Sequence, residues 1–149
     1  MKLAEALQER ADLNRRIQQL RARLMDNALV QEGEQTAEDP AALMSEYDDA
    51  SAALEELTAK INLANCKTTV DGKTLTELIA KRDALTQRVK TYRDLAQAAS
   101  QLYHRATRSE IKILSAVDVK ELQKRADRAA KELRQLDNAI QQTNWTAEL

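Results

Sequence analysis

The chain has 149 residues, of which 32% are charged, and its 23 Lys and Arg nearly balance its 24 Asp and Glu to give a formal net charge of −1. This length fits one domain, and the charge balance gives no bulk attraction to nucleic acid or to an anionic membrane. The single cysteine, Cys66, excludes an internal disulfide, and no apolar stretch is long enough to span a bilayer, so we expect a cytoplasmic protein.

Four long amphipathic helices are predicted by the spacing of the apolar residues. The sequence has two Gly, one Pro and no Phe, and it is rich in residues that favour helices. Apolar or small side chains recur at alternating spacings of three and four in the segments 3–24, 43–64, 75–103 and 119–140. Such a heptad seam predicts shallow-angle packing against a neighbouring helix, as in a coiled coil or a bundle.

Capping residues predict where three of these helices begin. Asp39 followed by Pro40 is typical of an N-cap and a first helical residue. Thr74 and Glu77 have the spacing of a capping box. Asp118 stands where the last helix needs an N-cap.

The connections between the helices carry weaker signals. They span residues 27–39, 66–73 and 106–117. The third contains EIKILSAV, residues 110–117, which is rich in β-branched and apolar residues and predicts a short extended segment. LVQE, residues 29–32, is a second candidate strand, whereas the pair Asp71 and Gly72 predicts a turn.

The sequence also matches itself when it is shifted along its own length. A shift of 72 places Leu3 on Leu75, Glu5 on Glu77 and Arg10 on Arg82, and a shift of 79 places Asp39 on Asp118, Asp48 on Asp127 and Asn65 on Asn144. Chance similarity between two heptad sequences is the alternative, but agreement outside the heptad pattern favours a duplication. We therefore predict one all-α domain over residues 1–149, an antiparallel four-helix bundle of two duplicated coiled-coil helical hairpins with short extended segments in the connections. The two pseudo-repeats cover roughly residues 1–65 and 74–145.

Opposite charges support the pairing of the first two helices. The first helix has a basic outer face and the second an acidic one, formed by Arg10, Arg15, Arg16, Arg21 and Arg23 and by Glu46, Asp48, Asp49, Glu55 and Glu56. Each exposed ion pair is worth only about 0.2–1 kcal/mol, so these charges select the partner helix more than they stabilise it.

Two arginines, Arg10 and Arg82, stand at seam positions where leucine is expected. A buried unpaired guanidinium is costly, so each side chain must either extend to solvent or meet a carboxylate. The candidate partners are Glu5, Glu77, Asp48 and Asp127. We interpret the arginines as polar residues that fix the helix register; a ligand-binding or catalytic pair and a subunit contact are the alternatives.

Asparagines recur at predicted helix ends. Asn62 and Asn65 end the second helix, and Asn144 precedes the single tryptophan, Trp145, at the end of the fourth. Asparagine commonly caps a helix C-terminus. An interface at the end of the molecule that holds Leu3 is the alternative interpretation.

Motifs that carry chemistry are absent from the sequence. His104 is the only histidine, no spacing matches a metal site, and Ser109, Ser115 and Cys66 lack the neighbours that activate a nucleophile. We expect no catalytic, cofactor-binding or metal site. The basic stretches 15–23 and 103–108 are better explained as solvated or paired helix faces, so we expect no nucleic-acid partner.

Several sequence blocks resemble a known family. These are KLAEAL, VQEGE with EDP following, DGKTLTELIAKRD, SEIK, VDVKELQK and the final NWTAEL. Together they cover nearly the whole chain and are similar to a family of small bacterial helical proteins labelled septicolysin-like. The resemblance implies no catalytic residues, and the label implies a membrane-damaging cytolysin.

We predict a self-associating helical structural or protein-interaction module, either a homo-oligomer or one bound to another protein. A cytolysin-type, membrane-damaging protein is the alternative. We expect no membrane contact, because every predicted helix has a strongly charged outer face and the sequence opens without a signal peptide.

Overall fold

In a computed structural model, the protein is described over residues 1–101 and 111–149. This part of the chain forms four α-helices and one short hairpin of two strands. They are α1 (Leu3–Asp26), α2 (Pro40–Lys67), β1 (Thr69–Val70), β2 (Lys73–Thr74), α3 (Leu75–Ser100) and α4 (Val119–Thr146). The prediction of an all-α protein is confirmed. The predicted C-terminal end of the third helix, at residue 103, and the residues His104 and Ser109 lie outside the described residues.

The chain divides into two compact units. The first unit contains Met1–Thr69 together with Thr143–Leu149, and the second unit is Val70–Gln142. The first therefore holds α1, α2 and the last turn of α4, whereas the second holds α3 and the rest of α4.

In the first unit, α1 and α2 pack in antiparallel directions. Arg16 lies 3.6 Å from Glu46, and Arg23 binds Glu38, which precedes α2. The apolar core between the helices contains Ile17, Leu20, Leu43 and Ala50, with Leu24, Tyr47 and Leu54 packed against it. The predicted pairing of a basic helix with an acidic one thus has one direct ion pair, between Arg16 and Glu46.

The beginning and the end of the chain meet in the same unit. The Leu3 N–H donates to the Ala147 carbonyl at 2.9 Å, and the Leu149 N–H donates to the Met1 carbonyl at 3.1 Å. The Lys2 ammonium donates to the Glu148 carboxylate at 2.6 Å, and this hydrogen bond lowers the pKa of Glu148. The last residues are therefore held beside the first turn of α1.

In the second unit, α3 and α4 are also antiparallel. The Lys81 ammonium lies 2.7 Å from the Glu132 carboxylate and lowers its pKa, and the Arg125 guanidinium lies 5.4 Å from the centroid of the Tyr92 ring. The buried apolar residues are Leu75, Leu78, Leu85, Val89 and Ala96 from α3 and Leu122, Ala126, Ala130 and Ile140 from α4.

The predicted caps are confirmed. The Asp39 carboxylate accepts a hydrogen bond from the Ala41 N–H at 3.0 Å, and the Asp118 carboxylate accepts one from the Glu121 N–H at 3.1 Å. At the start of α3, the Glu77 N–H donates to the Thr74 hydroxyl at 3.2 Å, while the Thr74 N–H donates to the Glu77 carboxylate at 2.7 Å. These donors would otherwise lack partners, since the first four N–H groups of a helix have none within it. The Thr74 N–H and the Thr74 hydroxyl, which donates at 3.0 Å, both bind the Glu77 carboxylate and lower its pKa.

The predicted strands are wrong in position. Residues 29–32 and 111–117 are not strands, and residue 110 lies outside the described part. The two strands instead flank the predicted turn, where Asp71 (φ 51°) and Gly72 (φ 79°) have the positive φ angles of a tight hairpin. A β-branched segment becomes a strand only where a neighbouring backbone supplies the hydrogen-bond ladder, and the tight turn of the hairpin at 69–74 brings such a backbone into place.

Within residues 1–101 and 111–149, no helix has both the length and the apolar character needed to cross a membrane.

Candidate interaction surfaces

The two seam arginines belong to different units and have different surroundings. Arg10 is half-buried on α1, and its side chain makes no ion pair with any described residue. Arg82 on α3 binds its neighbour Asp83, with Nε and Nη2 each 3.1 Å from the same carboxylate oxygen. The candidate partners Glu5 and Glu77 instead accept the backbone N–H groups that precede α1 and α3. The carboxylate that binds the Arg82 guanidinium thus comes from the adjacent residue, Asp83.

The other two candidate partners are exposed. Asp48 lies on α2 and Asp127 on α4, and neither makes an ion pair within the part of the chain that the structure describes. Asp127 lines a cavity of about 410 Å³ with Arg93, Gln97 and Gln123. Both carboxylates therefore face solvent.

The three asparagines and the tryptophan that were predicted at helix ends all lie in the first unit. Asn144 is buried, with 7% of its surface exposed, whereas its neighbour Trp145 is 62% exposed. Asn62 is exposed and Asn65 is half-buried in the last two turns of α2. A solvent-facing tryptophan is uncommon on surfaces that bind nothing, since tryptophan is enriched where proteins meet.

A second buried asparagine was not predicted. Asn27, 7% exposed, donates through Nδ2 to the Arg23 carbonyl at 2.8 Å and accepts at Oδ1 from the Glu38 N–H at 3.0 Å. The Arg23 guanidinium binds the Glu38 carboxylate, which lowers the pKa of Glu38 and raises that of Arg23. We call Arg23, Asn27 and Glu38 the connection latch, because they fix the end of the α1–α2 connection against α1.

The sequence held a partial signal for this latch. An asparagine directly after a heptad segment indicates a helix C-cap, and Asn27 is the C-cap of α1. Its bond to a residue eleven positions later depends on the path of the connection. That path is set by the turn at Gly33, where the Glu34 N–H donates to the Gln31 carbonyl at 3.0 Å.

The first unit contains an open groove beside α2. One cavity of about 520 Å³ is lined by Met1, Glu9, Ala53, Glu56, Leu57, Lys60 and Leu149. A second cavity of about 200 Å³ shares Lys60 and Leu149 and continues along Leu63, Ala64, Lys67, Thr68 and Glu148. We call the two cavities together the first-unit groove.

The first-unit groove is apolar with a charged rim. Met1 and Leu63 are 57% and 59% exposed, and Leu149 is 39% exposed. On the rim, the Lys60 ammonium lies 2.7 Å from the Glu56 carboxylate and lowers its pKa. The groove thus offers apolar side chains to a partner between charged groups that stay in water.

The second unit contains a groove of opposite character. A cavity of about 310 Å³ is lined by Leu85, Arg88, Tyr92, Arg125, Arg128, Ala129 and Glu132. Three guanidinium groups therefore surround a small apolar patch, and we call this the basic groove. The position of Arg125 over Tyr92 is a cation–π contact that restricts where this guanidinium can go.

Comparison with known proteins relates the chain to a sequence family and to a solved structure. The sequence model of a family of unknown function, DUF6847, matches residues 10–149. The chain belongs to this family. It is similar, with 42% sequence identity and a TM-score of 0.94, to the crystal structure of a functionally unknown conserved protein from Corynebacterium diphtheriae, and the match covers 100% of this chain and 98% of the other. A comparison with curated proteins gives no match.

The description of DUF6847 gives no activity. The resemblance to septicolysin-like proteins stays a prediction. Among residues 1–101 and 111–149 there is no group of three or more His, Cys, Asp or Glu side chains arranged to hold a metal ion.

Charge is distributed unequally between the units. The first unit contains 8 Lys and Arg against 14 Asp and Glu, a formal net charge of −6. The second contains 15 Lys and Arg against 10 Asp and Glu, a formal net charge of +5. The total of −1 conceals this difference, which a count over each predicted pseudo-repeat would have shown.

Proposed function

We propose that the protein is a helical protein-interaction module that self-associates, in which the first-unit groove of one copy holds an apolar segment of a second copy. The observation that carries this proposal is the groove of about 520 Å³ lined by Met1, Leu57 and Leu149. Fully burying a leucine or methionine side chain is worth about 1.5–3 kcal/mol, so covering this surface favours association.

The shape of the groove suits a segment of another chain. Its lining residues on α2 recur at spacings of three and four from Ala53 to Lys67. The fourteen-residue step from Ala53 to Lys67 spans roughly 21 Å of helix, which is long enough for several residues of a partner to lie along α2. A small-molecule site would instead enclose its ligand on most sides.

The occupant that fits is residues 111–114 of a second copy, which we call the IKIL segment. Ile111 and Leu114 are 78% and 76% exposed, and Ile113 is 38% exposed. Lys112 belongs to the basic unit, whereas Glu9 and Glu56 on the groove rim belong to the acidic unit. An apolar segment with one cation therefore complements an apolar groove whose mixed charged rim includes Glu9, a carboxylate without an ion pair among the described residues.

We also propose that the two units are duplicated coiled-coil hairpins. Local hydrogen bonds that repeat at the predicted shift of 72 residues support the duplication. The Asn14 amide donates to the Arg10 carbonyl and the Thr86 hydroxyl donates to the Arg82 carbonyl, each at 2.9 Å. Each arginine is the eighth residue of the first helix of its unit.

Crosslinking between two labelled copies tests the proposal. One copy carries Cys66→Ser with Ala53→Cys, and the other carries Cys66→Ser with Leu114→Cys and a mass tag. A disulfide requires the two Cβ atoms to approach within about 4.5 Å. We therefore expect a mixed disulfide of the two copies under mild oxidation, at concentrations where light scattering shows more than a monomer.

The matched control replaces Ala53→Cys with Ala42→Cys, another exposed alanine of α2 that does not line the groove. A light-scattering mass of a monomer at high micromolar concentration would overturn self-association. Equal crosslinking of the Ala42→Cys copy would overturn the groove as the contact. Circular dichroism of each variant shows whether its helices are intact.

A further inference from the structure

The three guanidinium groups of the basic groove outnumber its one lining carboxylate, Glu132, which is paired with Lys81 and is only weakly influenced by Arg88. Arg88 and Arg125 form no ion pair within residues 1–101 and 111–149, and Arg128 has only a long contact of 3.6 Å with the exposed Glu121. Guanidinium groups bind carboxylates through two parallel hydrogen bonds, which gives direction as well as attraction. The groove is therefore a ready site for carboxylates carried on another surface.

A matching acidic surface lies on α2 of the first unit. Asp48 and Glu55 are exposed, and neither makes an ion pair in the described part of the chain. They are seven residues apart, so they lie on the same face of the helix about 10.5 Å from each other. This face points away from the core residues Ala50 and Leu57 and is separate from the residues that line the first-unit groove.

We infer that the basic groove of one copy binds the Asp48 and Glu55 face of α2 of a second copy. The inference rests on the proposed self-association and adds the contact that selects the partner and fixes its register. The apolar patch of Leu85 and Ala129 lets the helix approach, and the guanidinium groups of the groove meet its carboxylates.

In a two-fold dimer, the proposed contact forms at two places. Each copy carries both the acidic face and the basic groove, so a two-fold dimer makes the same contact twice. In each contact a unit with a net charge of −6 meets one with a net charge of +5. Complementary charge of this kind acts mainly on partner selection and on the rate of association.

Paired charge reversals test the inference. One variant carries Arg125→Glu with Arg128→Glu, and the other carries Asp48→Lys with Glu55→Lys. Each alone brings like charges together in both contacts, so we expect its self-association to weaken about tenfold or more. Mixing the two variants restores one native contact and creates one reversed but attractive contact. We therefore expect a mixed dimer with near wild-type affinity by sedimentation velocity.

Salt provides a second measurement on the unmodified protein. Screening shortens the range of surface charges from about 10 Å at 0.1 M to 3 Å at 1 M salt, so dimerisation should weaken steeply between these limits. A matched control is Lys90→Glu with Lys131→Glu, which makes the same change in net charge away from the groove lining. This control should leave the dimer within about threefold of wild type.

The outcomes separate this inference from the proposed function. If the groove crosslink forms but both charge variants dimerise like the wild type, self-association stands and the basic groove is not its contact. Failure of the mixed variants to recover the dimer also overturns the inference. Tight binding of a single-stranded oligonucleotide to the basic groove at physiological salt, with no effect of the Asp48 and Glu55 changes on dimerisation, would assign the groove to nucleic acid instead.

Discussion

The first helix of each unit begins with the same two features, a buried leucine and a glutamate that accepts a backbone hydrogen bond. Leu3 and Leu75 are the first residues of α1 and α3, and both are fully buried. Two residues later, Glu5 and Glu77 accept the N–H of the residue before the helix, each at 2.7 Å. A buried leucine and a nearby glutamate thus fix the start of a helix in either unit.

The residues that directly precede the two helices, Lys2 and Thr74, differ. Before α3, the Thr74 hydroxyl also accepts a backbone hydrogen bond, whereas Lys2 before α1 has no side-chain acceptor and binds Glu148 instead. The surfaces differ more, with net charges of −6 and +5. The comparison teaches that the same buried residues at a helix start are compatible with opposite surface charge, because buried positions and surface positions change independently.

The largest expected effect comes from truncating a buried leucine in each unit, which tests whether the two units unfold separately. Leu20 and Leu85 are 1% and 3% exposed, one in each unit, and truncating such a leucine costs about 2–5 kcal/mol. In urea, Leu20→Ala should shift the transition reported by the fluorescence of Trp145, which lies in the first unit. Leu85→Ala should shift a helical circular dichroism transition and leave the Trp145 transition in place.

The control for this pair is an exposed leucine, Leu95→Ala, 42% exposed on α3, which should shift both transitions much less than Leu85→Ala does. If both core variants move both probes together, the chain unfolds as one cooperative body, which would match the single domain predicted by the sequence.

The connection latch gives the next effect. Asn27→Ala removes the acceptor of the part-buried Glu38 N–H, whereas the Arg23 carbonyl keeps the backbone N–H of residue 27 as a donor, and an unsatisfied buried group costs about 1–3 kcal/mol. The loss should appear in the urea transition of the first unit. Asn62→Ala, at an exposed site of α2, should change the free energy of unfolding by less than about 0.5 kcal/mol. Equal effects of the two changes would show that the latch does not stabilise the connection.

The two helix starts offer a smaller contrast. Thr74→Ala removes an N-cap acceptor and should destabilise the second unit by about 1 kcal/mol. Lys2→Ala removes an exposed ion pair and no cap, so the expected loss is smaller than that for Thr74→Ala, and it should shrink at high salt. A salt-independent loss for Lys2→Ala, as large as that for Thr74→Ala, would contradict this assignment.

The local features of the fold were predictable from the sequence. Helices and caps depend on residues within four positions of each other, so the heptad spacing and the pairs Asp39 with Pro40 and Thr74 with Glu77 were sufficient. The strands were not predictable in the same way. Residues 29–32 and 111–117 have strand-like composition, but the two strands that the described residues form flank the chain reversal at Asp71 and Gly72.

The candidate surfaces were less predictable than the helices. Arg10 and Arg82 were visible as seam exceptions, yet the carboxylate that binds Arg82 comes from the next residue, which no periodicity argument singles out. The first-unit groove depends on the pairing of Leu3 with Ala147, two residues that are far apart in the chain. Contacts of that range follow from the path of the whole chain.

The smallest expected effect compares the ion pairs Arg23 with Glu38 and Lys81 with Glu132. In each, the hydrogen bond from the cation lowers the pKa of the carboxyl. A carboxyl whose pKa is lower in the folded state stabilises the fold above its unfolded pKa, and that contribution is lost as the pH falls through the folded pKa. Both pairs are exposed, so each contribution is small.

Exchange of one cation at a time separates the two units. With Arg23→Gln, the pKa of Glu38 should rise toward its ordinary value while that of Glu132 stays low, and Lys81→Gln should do the converse. Carbon-13 NMR titration of the glutamate carboxyls measures both values in one sample. The stability difference between Arg23→Gln and the wild type should be present at neutral pH and disappear once the pH is below the folded pKa of Glu38. If the pKa of Glu38 does not change in Arg23→Gln, the Asn27 contact alone holds the connection, and this ion pair does not stabilise the first unit.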